Sequence, residues 1–311
     1  MRIILIAGGW SNERQVSING ALEIQKALDS LGHEVLLFDL DPDLDRLISS
    51  ARQFDAAFIN LHGCPGEDGT IQALLDDIGL PYQGSGPLGS FLAMNKYLSK
   101  QFFRNHGLPT PNWSLLTNLN EAGSKNIKYP LVAKPNTGGS SLDIAILNDS
   151  SDMESYLKQN NSRVSEILLE DYIAGAELTC AVLGDEALPP ILIKPLKGIF
   201  FDYASKYDPD GATEICPAPV SEKITAKLQE LSLRAHQVLG LRHYSRTDFI
   251  LDEHERLYIL ETNTLPGMTK TSLVPKSARA AGLDFPAFVD KLIYLTMNST
   301  QTGKGKYHEK Q

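Results

Sequence analysis

Two carboxylates and an amide lie in the predicted hairpin 246–263, where their types and spacing suit metal binding. Two β-rich runs flank the polar segment 253–256, and this pattern is typical of a hairpin. If the turn lies at those four residues, the pairing of the two strands follows directly. The predicted pairs are Arg246 with Asn263, Asp248 with Glu261, and Asp252 with Leu257.

The face that the first two pairs share has the chemistry of a site for a hard cation. Opposed residues and residues two apart project from the same face of a sheet. The opposed carboxylates Asp248 and Glu261 repel each other unless a cation lies between them. Oxygen donors without His or Cys suit Mg²⁺, and so few protein ligands indicate completion by substrate phosphates and water. On these residues alone, a polar, solvated hairpin face remains the alternative.

A glycine- and serine-rich loop, Asn136–Ser141, is the second candidate element. It follows a predicted strand at Pro130–Pro135 and precedes a returning strand at 144–147. The backbone N–H groups of such a loop can cradle an anion together with the adjacent Lys134. The P-loop NTPase class is excluded because no G-x-x-x-x-G-K-[ST] occurs in the chain. A plain hairpin turn with an exposed lysine remains the alternative.

The first third of the chain alternates strands with helices, which predicts an open parallel sheet with right-handed crossovers. In such sheets ligands bind at the carboxyl ends of the strands. Two loops, 8–14 and 62–69, leave those ends. The strands are predicted at 2–7, 34–39 and 56–61, with helices at 11–31 and 70–78.

Several residues near these loops have both a chemical and a structural interpretation. Glu13 lies in the first turn of a helix, where it either caps the helix or faces a cationic substrate group. His62 directly follows a buried strand, a placement that favours a site. Cys64 is not interpreted as a nucleophile or metal ligand, because no second Cys/His pair supports it. The stretch Gly84–Gly89 matches G-x-G-x-x-G, but Pro87 lies inside it, so it predicts a tight turn into a helix.

Length and composition exclude some classes of protein. The chain has 311 residues, 42% hydrophobic and 22% charged, which predicts two or three globular domains. Its formal charge is −9 and it has no basic run, which argues against a nucleic-acid-binding protein. No apolar run approaches the roughly 20 residues of a membrane span. Three widely spaced cysteines fit reduced thiols in a cytoplasmic protein.

A series of motifs, specific in its order and spacing, resembles the D-alanine–D-alanine ligases of the ATP-grasp superfamily. The motifs are GGWSNERQVS, HGCPGEDGT, KP followed by GGSS, LEDYIAGAE, DYASKY, SRTDFILD, and LETNTLPGMT with SLVP. The resemblance covers residues 1 to about 297. It implies that ATP phosphorylates one D-alanine and that the amine of a second D-alanine attacks the acyl phosphate, for peptidoglycan precursor synthesis.

The resemblance implies an α/β and α+β fold, in which a Rossmann-like N-terminal domain precedes two lobes that grip ATP between their sheets. It also implies two Mg²⁺ or Mn²⁺ ions per site and a homodimer. The aromatic stretch Phe200–Thr213 predicts a mobile flap that excludes water, because acyl phosphates hydrolyse. The predicted boundaries are 1–95 for the N-terminal domain, 96–178 for the central lobe, 179–299 for the C-terminal lobe, and 300–311 for a disordered tail.

The family pattern also assigns residues of this chain to the two D-alanine subsites. Glu13 would lie near the ammonium group of the first D-alanine, with His62 close by. Arg246 and the backbone N–H of Gly267 would stabilise the oxyanion that a tetrahedral intermediate develops. The other assignments are Ser140 and Tyr207, hydrogen-bonded with Glu13 to close the site, and Lys206, Ser272 and the Leu273 backbone at the second D-alanine's carboxylate.

For ATP and metal, the resemblance implies a set that extends the candidates above. Phosphoryl transfer needs positioning and charge neutralisation, which lysines, loop amides and metal ions supply. The implied ATP residues are Lys96, Lys134 and Ser141 at the phosphates, and Glu170, Glu177 and the Ile173 backbone at the adenosine. The implied metal ligands are Asp248, Glu261 and Asn263.

Two positions depart from the family pattern. Asp143 stands where the family usually has Gly, and a carboxylate beside a phosphate cradle repels ATP unless it points away or binds a cation. Asp171 replaces the usual Lys after Glu170.

The function that the motifs favour is a dipeptide ligase, and Tyr207 matches the dipeptide-forming members of the family. The alternatives are another ATP-grasp carboxylate–amine ligase with a different acceptor, or a weakly active nucleotide-binding paralogue, which Asp143 favours.

Overall fold

The structure, a computed structural model, describes residues 1–117, 128–138, 143–160, 164–195 and 211–302. Its N-terminal part is a parallel sheet in the order β2-β1-β3, flanked by helices. Five buried apolar residues in a row on β1 and four on β3 mark strands covered on both faces, as in other parallel sheets. The predicted open parallel sheet is confirmed. The elements are β1 (Arg2–Gly8), α1 (Arg14–Ser30), β2 (Glu34–Leu40), α2 (Leu44–Ala51), β3 (Ala56–Ile59) and α3 (Thr70–Asp77).

Two short helices lead from this sheet into the central lobe. Helix α4 (Pro87–Met94) begins with Pro87 in its first turn, which confirms the predicted turn into a helix. Helix α5 (Lys96–Asn105) follows, and its N-cap residue Asn95 accepts a hydrogen bond from the Leu98 N–H at 3.0 Å. The cap fixes where α5 begins, and therefore the direction in which Lys96 projects.

The central lobe is a four-stranded antiparallel sheet in the order β4-β7-β5-β6. Strands β5 and β6 pair directly, as the glycine- and serine-rich loop between them predicts. Apolar residues of one sheet face pack against the helix of this lobe, for example Ala133 and Leu169 with Met153. The elements are β4 (Trp113–Leu116), β5 (Leu131–Pro135), β6 (Ala145–Leu147), α6 (Ser150–Asn160) and β7 (Ile167–Asp171).

The C-terminal lobe contains a six-stranded sheet in the order β11-β10-β8-β12-β13, with β9 paired to β8. Helix α7 packs on this sheet through Leu228 and Leu231, which share a core with Phe249. The elements are β8 (Ala176–Leu183), β9 (Glu186–Ala187), β10 (Ile191–Pro195), β11 (Ala212–Ile215), α7 (Glu222–Val238), β12 (Tyr244–Leu251), β13 (Leu257–Asn263), α8 (Leu273–Ala280) and α9 (Phe285–Thr302).

The last helix, α9, packs against α1 as well as against residues of its own lobe. Phe288, Val289 and Leu292 are fully buried in one core with Ile4 and Ile24 of the N-terminal part. The last helix of the described chain therefore packs on its N-terminal part. Residues 303–311, most of the predicted tail, lie outside the described part, and none of the described helices is long and apolar enough to cross a membrane.

The hairpin β12–β13 has the predicted register at its functional end and a different register at its turn. Arg246 pairs with Asn263 and Asp248 with Glu261, as predicted, but Leu251 rather than Asp252 pairs with Leu257. A β-bulge after Asp248 absorbs the one-residue difference. The physical reason lies in the turn, where the Asp252 carboxylate accepts hydrogen bonds from three donors instead of extending the strand. The donors are the N–H groups of His254 and Arg256 and the Arg256 Nε, at 2.9, 2.8 and 2.7 Å.

Candidate active site

A cavity of about 530 Å³ opens between the central sheet and the C-terminal sheet. Its charged lining comes from both sheets, and its apolar lining includes Val132, Ile146 and Leu260. A mostly apolar cleft with a few convergent polar groups is the usual form of a small-molecule site. The structure therefore brings several predicted residues into one lining. These are Lys134, Glu170, Ile173 and Glu177 of the predicted ATP set, and Asp248 and Glu261 of the predicted metal set.

Asp248 is held by four hydrogen-bond donors at one end of this cavity. Arg246 donates Nε to Oδ1 at 2.8 Å and Nη2 to Oδ2 at 2.7 Å. Thr179, its neighbour on β8, donates to Oδ1 at 2.6 Å, and Asn263 donates Nδ2 to Oδ2 at 3.2 Å. Burial opposes the charge on Arg246, but Asp248 outweighs burial and raises the pKa of Arg246, so the guanidinium stays charged. The polar face of the hairpin is thus a buried, ordered network rather than a solvated surface.

The donor atoms at this end of the cavity are oxygens, the type of ligand that a divalent cation such as Mg²⁺ prefers. Asn263 turns its amide N–H toward Asp248, so its Oδ1 is directed away from that carboxylate. Among the described residues, no three or more His, Cys, Asp or Glu side chains form a metal-binding group. The side chains of Asp248, Glu261 and Asn263 carry the oxygen donors that suit a cation whose other ligands come from substrate and water. A carboxylate has about four lone-pair sites, so a cation at Asp248 competes with one of its four donors.

Three buried charges meet on the wall that separates α5 from the cavity. Glu170 forms ion pairs with Lys100 through Oε1 and with Lys134 through Oε2, the latter at 2.7 Å. Burial alone would raise the pKa of Glu170, but the two lysines outweigh it and lower the pKa. Burial also lowers the pKa of Lys100, to about 8. The carboxylate predicted to hold adenosine is thus already engaged by two cations in this structure.

Lys96 joins the loop between β5 and β6 to the hairpin. Its Nζ donates to the Gly138 carbonyl at 2.7 Å and lies 3.7 Å from Glu261 Oε2. Asn136 fixes the start of the same helix, since its Oδ1 accepts from the Tyr97 N–H at 2.8 Å. Burial lowers the pKa of Lys96. Its ammonium group, between the loop and a cavity carboxylate, is well placed to contact an anionic ligand.

Glu13 and His62 meet where the N-terminal sheet faces the C-terminal lobe. Glu13 is the N-cap residue of α1, but its side chain makes no hydrogen bond that caps the helix. Burial disfavours the charged form of His62, but Glu67 and Glu13 outweigh it and raise its pKa. His62 Nδ1 lies 3.6 Å from Glu67 Oε1. Burial and Asp68 raise the pKa of nearby Cys64 to about 11, which disfavours the thiolate form that a nucleophile needs.

The loop after β13 brings Gly267 and Ser272 together at the start of α8. A Cβ on Gly267 would lie 2.9 Å from Ser272 Oγ, so a larger residue at position 267 would require the Ser272 side chain to shift. Ser272 is the N-cap residue, yet its hydroxyl does not cap the helix and instead accepts from the Thr269 N–H at 3.1 Å. The amides at the start of α8, including that of Leu273, thus have no partner within the helix and can bind a carboxylate.

Some predicted residues lie outside the part of the chain that the structure describes, and some residues of the site were not predicted. The former are Ser140, Ser141, Lys206 and Tyr207. The latter are Lys100, Thr179 and Glu67. Lys100 lies four residues after Lys96 and thus on the same helix face, which was a usable signal. Glu67 belongs to a quoted motif, whereas Thr179 had no local signal because only strand pairing places it beside Asp248.

Asp143 adopts a left-handed backbone conformation, with φ of 57°. Glycine adopts positive φ readily whereas Asp does so with some strain, so this backbone favours glycine at position 143. The residue is exposed, and its carbonyl accepts a hydrogen bond from the Tyr156 hydroxyl at 2.6 Å. The backbone at the end of the phosphate-loop candidate is therefore tied to α6.

Known proteins match this chain over nearly its whole length. The family models described as D-ala D-ala ligase N-terminus and C-terminus match residues 43–85 and 102–294. A D-alanine–D-alanine ligase of Nitratidesulfovibrio vulgaris (strain DP4) is 55% identical over 300 residues, 96% of this chain and 99% of that protein.

Solved structures agree with the sequence matches. The D-alanine–D-alanine ligase of Bacillus anthracis superposes with a TM-score of 0.87 at 37% identity, covering 97% of this chain and 99% of that one. Its complex with ATP gives a TM-score of 0.85 at 35% identity, with the same coverage. The expected α/β and α+β fold of the ATP-grasp type is confirmed. The chain belongs to the D-alanine–D-alanine ligase family.

Proposed function

We propose that this protein joins two D-alanine molecules into D-alanyl-D-alanine, with ATP as co-substrate, for peptidoglycan precursor synthesis. The observation that carries the proposal is the cavity between two sheets in which Lys134, Glu170 and Asp248 converge. In the reaction, the γ-phosphoryl group of ATP passes to the carboxylate of the first D-alanine, releasing ADP. The amine of the second D-alanine then attacks the acyl phosphate and displaces inorganic phosphate.

The nucleotide would lie along the cavity, with its base against the apolar wall. Val132, Ile146 and Leu260 supply that wall, and Glu177 and the Ile173 backbone lie in the same lining for the adenosine. Lys96 and Lys134 would contact the phosphates, together with the loop that carries Ser141. Their buried ammonium groups interact more strongly with phosphate than exposed lysines do, because the surroundings have a low dielectric constant.

The acyl-transfer step would take place between the cavity and the N-terminal sheet. Glu13 would bind the ammonium group of the first D-alanine, with His62 beside it. Arg246 and the Gly267 N–H would donate to the developing oxyanion, and Ser272 with the Leu273 N–H would hold the carboxylate of the second D-alanine. Lys206 and Tyr207, with Ser140, would close the site against water.

A divalent cation, Mg²⁺ or Mn²⁺, would supply charge neutralisation at the phosphates when bound. Its protein ligands would be Asp248, Glu261 and Asn263, and two ions per site are expected. A homodimer and a cytoplasmic location remain predictions. Light scattering coupled to size-exclusion chromatography checks the first, because a dimer doubles the 34.2 kDa mass of the chain.

The proposed activity is tested by phosphate release from ATP and Mg²⁺ with D-alanine, L-alanine, or D-alanine plus D-lactate, with the products identified by mass. We expect release in both mixtures that contain D-alanine and none with L-alanine, and the dipeptide as the product. A different condensed product would indicate another carboxylate–amine ligase. Measurable ATP binding without release under any condition would contradict the proposal and favour the nucleotide-binding paralogue. Chelation of the divalent cation by EDTA should abolish release.

Asp143 provides a separate prediction about ATP affinity. Asp143→Gly should lower the KM for ATP by about two- to fivefold, because it removes a like charge near the phosphates at a solvent-screened position. Asp143→Asn is the matched control, since Asn removes the charge and tolerates positive φ. If charge is the cause, both variants lower the KM, whereas a change in Asp143→Gly alone would attribute the effect to the backbone. An unchanged KM in both would dispose of the idea.

A further inference from the structure

We propose that Lys100 is a positioning residue of the ATP site. It neutralises the Glu170 carboxylate from the side away from the cavity and thereby leaves the Lys134 ammonium group available to the ATP phosphates. The inference rests on the proposed function. It concerns a residue of α5 that does not belong to the cavity lining found among the described residues, whereas Glu170 and Lys134 do.

The two oxygens of Glu170 are divided between two lysines. Lys100 engages Oε1, and Lys134 engages Oε2 at 2.7 Å. All three groups are nearly inaccessible, with side chains 0%, 2% and 5% exposed for Lys100, Glu170 and Lys134. Water therefore cannot replace either partner of the carboxylate, and the charges must be balanced by one another.

Other contacts hold Lys100 in place on the side away from the cavity. Its Nζ donates to Thr110 Oγ1 at 2.5 Å, and Thr110 in turn donates to the Ile259 carbonyl at 2.8 Å. The same ammonium lies 5.9 Å from the centre of the Trp113 ring. Lys100 is thus tied to β4 and β7 of the central lobe and, through Thr110, to β13 of the C-terminal lobe. A group fixed in this way does not reach a ligand in the cavity.

The charges explain why two lysines are needed. With Lys134 alone, Glu170 would cancel its charge, and Lys134 could turn toward a phosphate only by leaving a buried carboxylate unpaired, which is strongly unfavourable. With Lys100 present, Glu170 keeps a partner when Lys134 moves to the phosphate. Two ammonium groups on one carboxylate leave one positive charge in excess. Glu261 on β13 also interacts with Lys100, and it lies 3.7 Å from Lys96 of the same helix.

The test is a double-mutant cycle on ATP binding, read by displacement of a fluorescent ATP analogue. Lys100→Met should raise the Kd for ATP by about 10- to 100-fold, the loss expected for one charged hydrogen bond, and leave the Kd for adenosine within about twofold. In a Glu170→Gln background, the further change Lys100→Met should alter the Kd for ATP by less than about threefold, because the carboxylate charge is already gone. Lys227→Met removes an exposed lysine from a surface ion pair with Glu230 and is the matched control, with no change expected.

Other outcomes would overturn the inference. Equal weakening of ATP and adenosine by Lys100→Met would indicate a general distortion of the pocket, and an undiminished effect in the Glu170→Gln background would show that Lys100 does not act through Glu170. If Lys100→Met fails to fold, the double variant, which leaves no buried carboxylate without a partner, still tests the second point against Glu170→Gln alone. Wild-type protein that binds no ATP would overturn the proposed function itself, whereas wild-type binding that Lys100→Met leaves unaltered would overturn only this inference.

Discussion

Replacing Arg246 with Lys is expected to lower kcat by about 100- to 1,000-fold, the loss found when one oxyanion donor is removed from an acyl-transfer site. The guanidinium contacts both oxygens of Asp248 through Nε and Nη2, at 2.8 and 2.7 Å. A single ammonium group cannot reproduce this planar, two-point contact. The substitution would therefore remove the proposed oxyanion donor and also loosen the Asp248 carboxylate. D-alanine-dependent phosphate release at saturating substrates measures kcat.

The same hairpin offers a matched control for this variant. Arg256 donates Nε to Asp252 at 2.7 Å, but its side chain is 62% exposed and lies at the turn, away from the cavity. Arg256→Lys changes the same chemistry at a neighbouring Arg–Asp pair and should leave kcat unchanged. Thermal unfolding of both variants separates a catalytic loss from a folding defect. Retention of kcat within about threefold in Arg246→Lys would exclude Arg246 from the transition state.

Replacing Asp248 with Asn is expected to lower kcat by roughly 1,000-fold, since a divalent cation contributes several kcal/mol to phosphoryl transfer and each 1.36 kcal/mol is tenfold in rate. The variant loses a charged ligand and presents an amide N–H to Arg246 and Thr179, both of which are donors. The Mg²⁺ concentration for half-maximal activity should therefore rise as well. Activity titrated with Mg²⁺ at saturating ATP checks both effects, and an unaltered Mg²⁺ requirement would contradict the assignment of Asp248 as a metal ligand.

Thr179 allows a graded version of this experiment. Its hydroxyl donates to Asp248 Oδ1 at 2.6 Å, so Thr179→Val removes one hydrogen bond to a charged group without a large change in volume. We expect kcat/KM for ATP to fall about tenfold. Thr247→Val is the control, because Thr247 is adjacent to Asp248 and so projects from the opposite face of β12, where its hydroxyl contacts Thr262. Equal losses of kcat/KM in both variants would show that the substitutions disturb the sheet in general rather than the position of Asp248.

The sequence by itself was sufficient for features that depend on local periodicity. Side chains alternate along a strand, so a short polar turn was enough to place Asp248 opposite Glu261 and Arg246 opposite Asn263. The strand–loop–strand at residues 130–147 and the turn into α4 followed from similarly local patterns. The assignment of roles to these residues came from the order of the motifs, since no single motif is specific.

Only the tertiary structure decided which of these faces meet. Turn chemistry at Asp252 shifts the hairpin register by one residue, and a bulge after Asp248 restores it, so alternation alone misplaced the turn. Lys100, Lys134 and Glu170 come from α5, β5 and β7, and no pattern within any of these segments shows that two lysines share one carboxylate. Thr179 reaches Asp248 because β8 pairs with β12, 69 residues away along the chain. Such contacts form where distant segments pack together, and the packing depends on which apolar faces can be buried against each other. The local sequence specifies only which side chains each face carries.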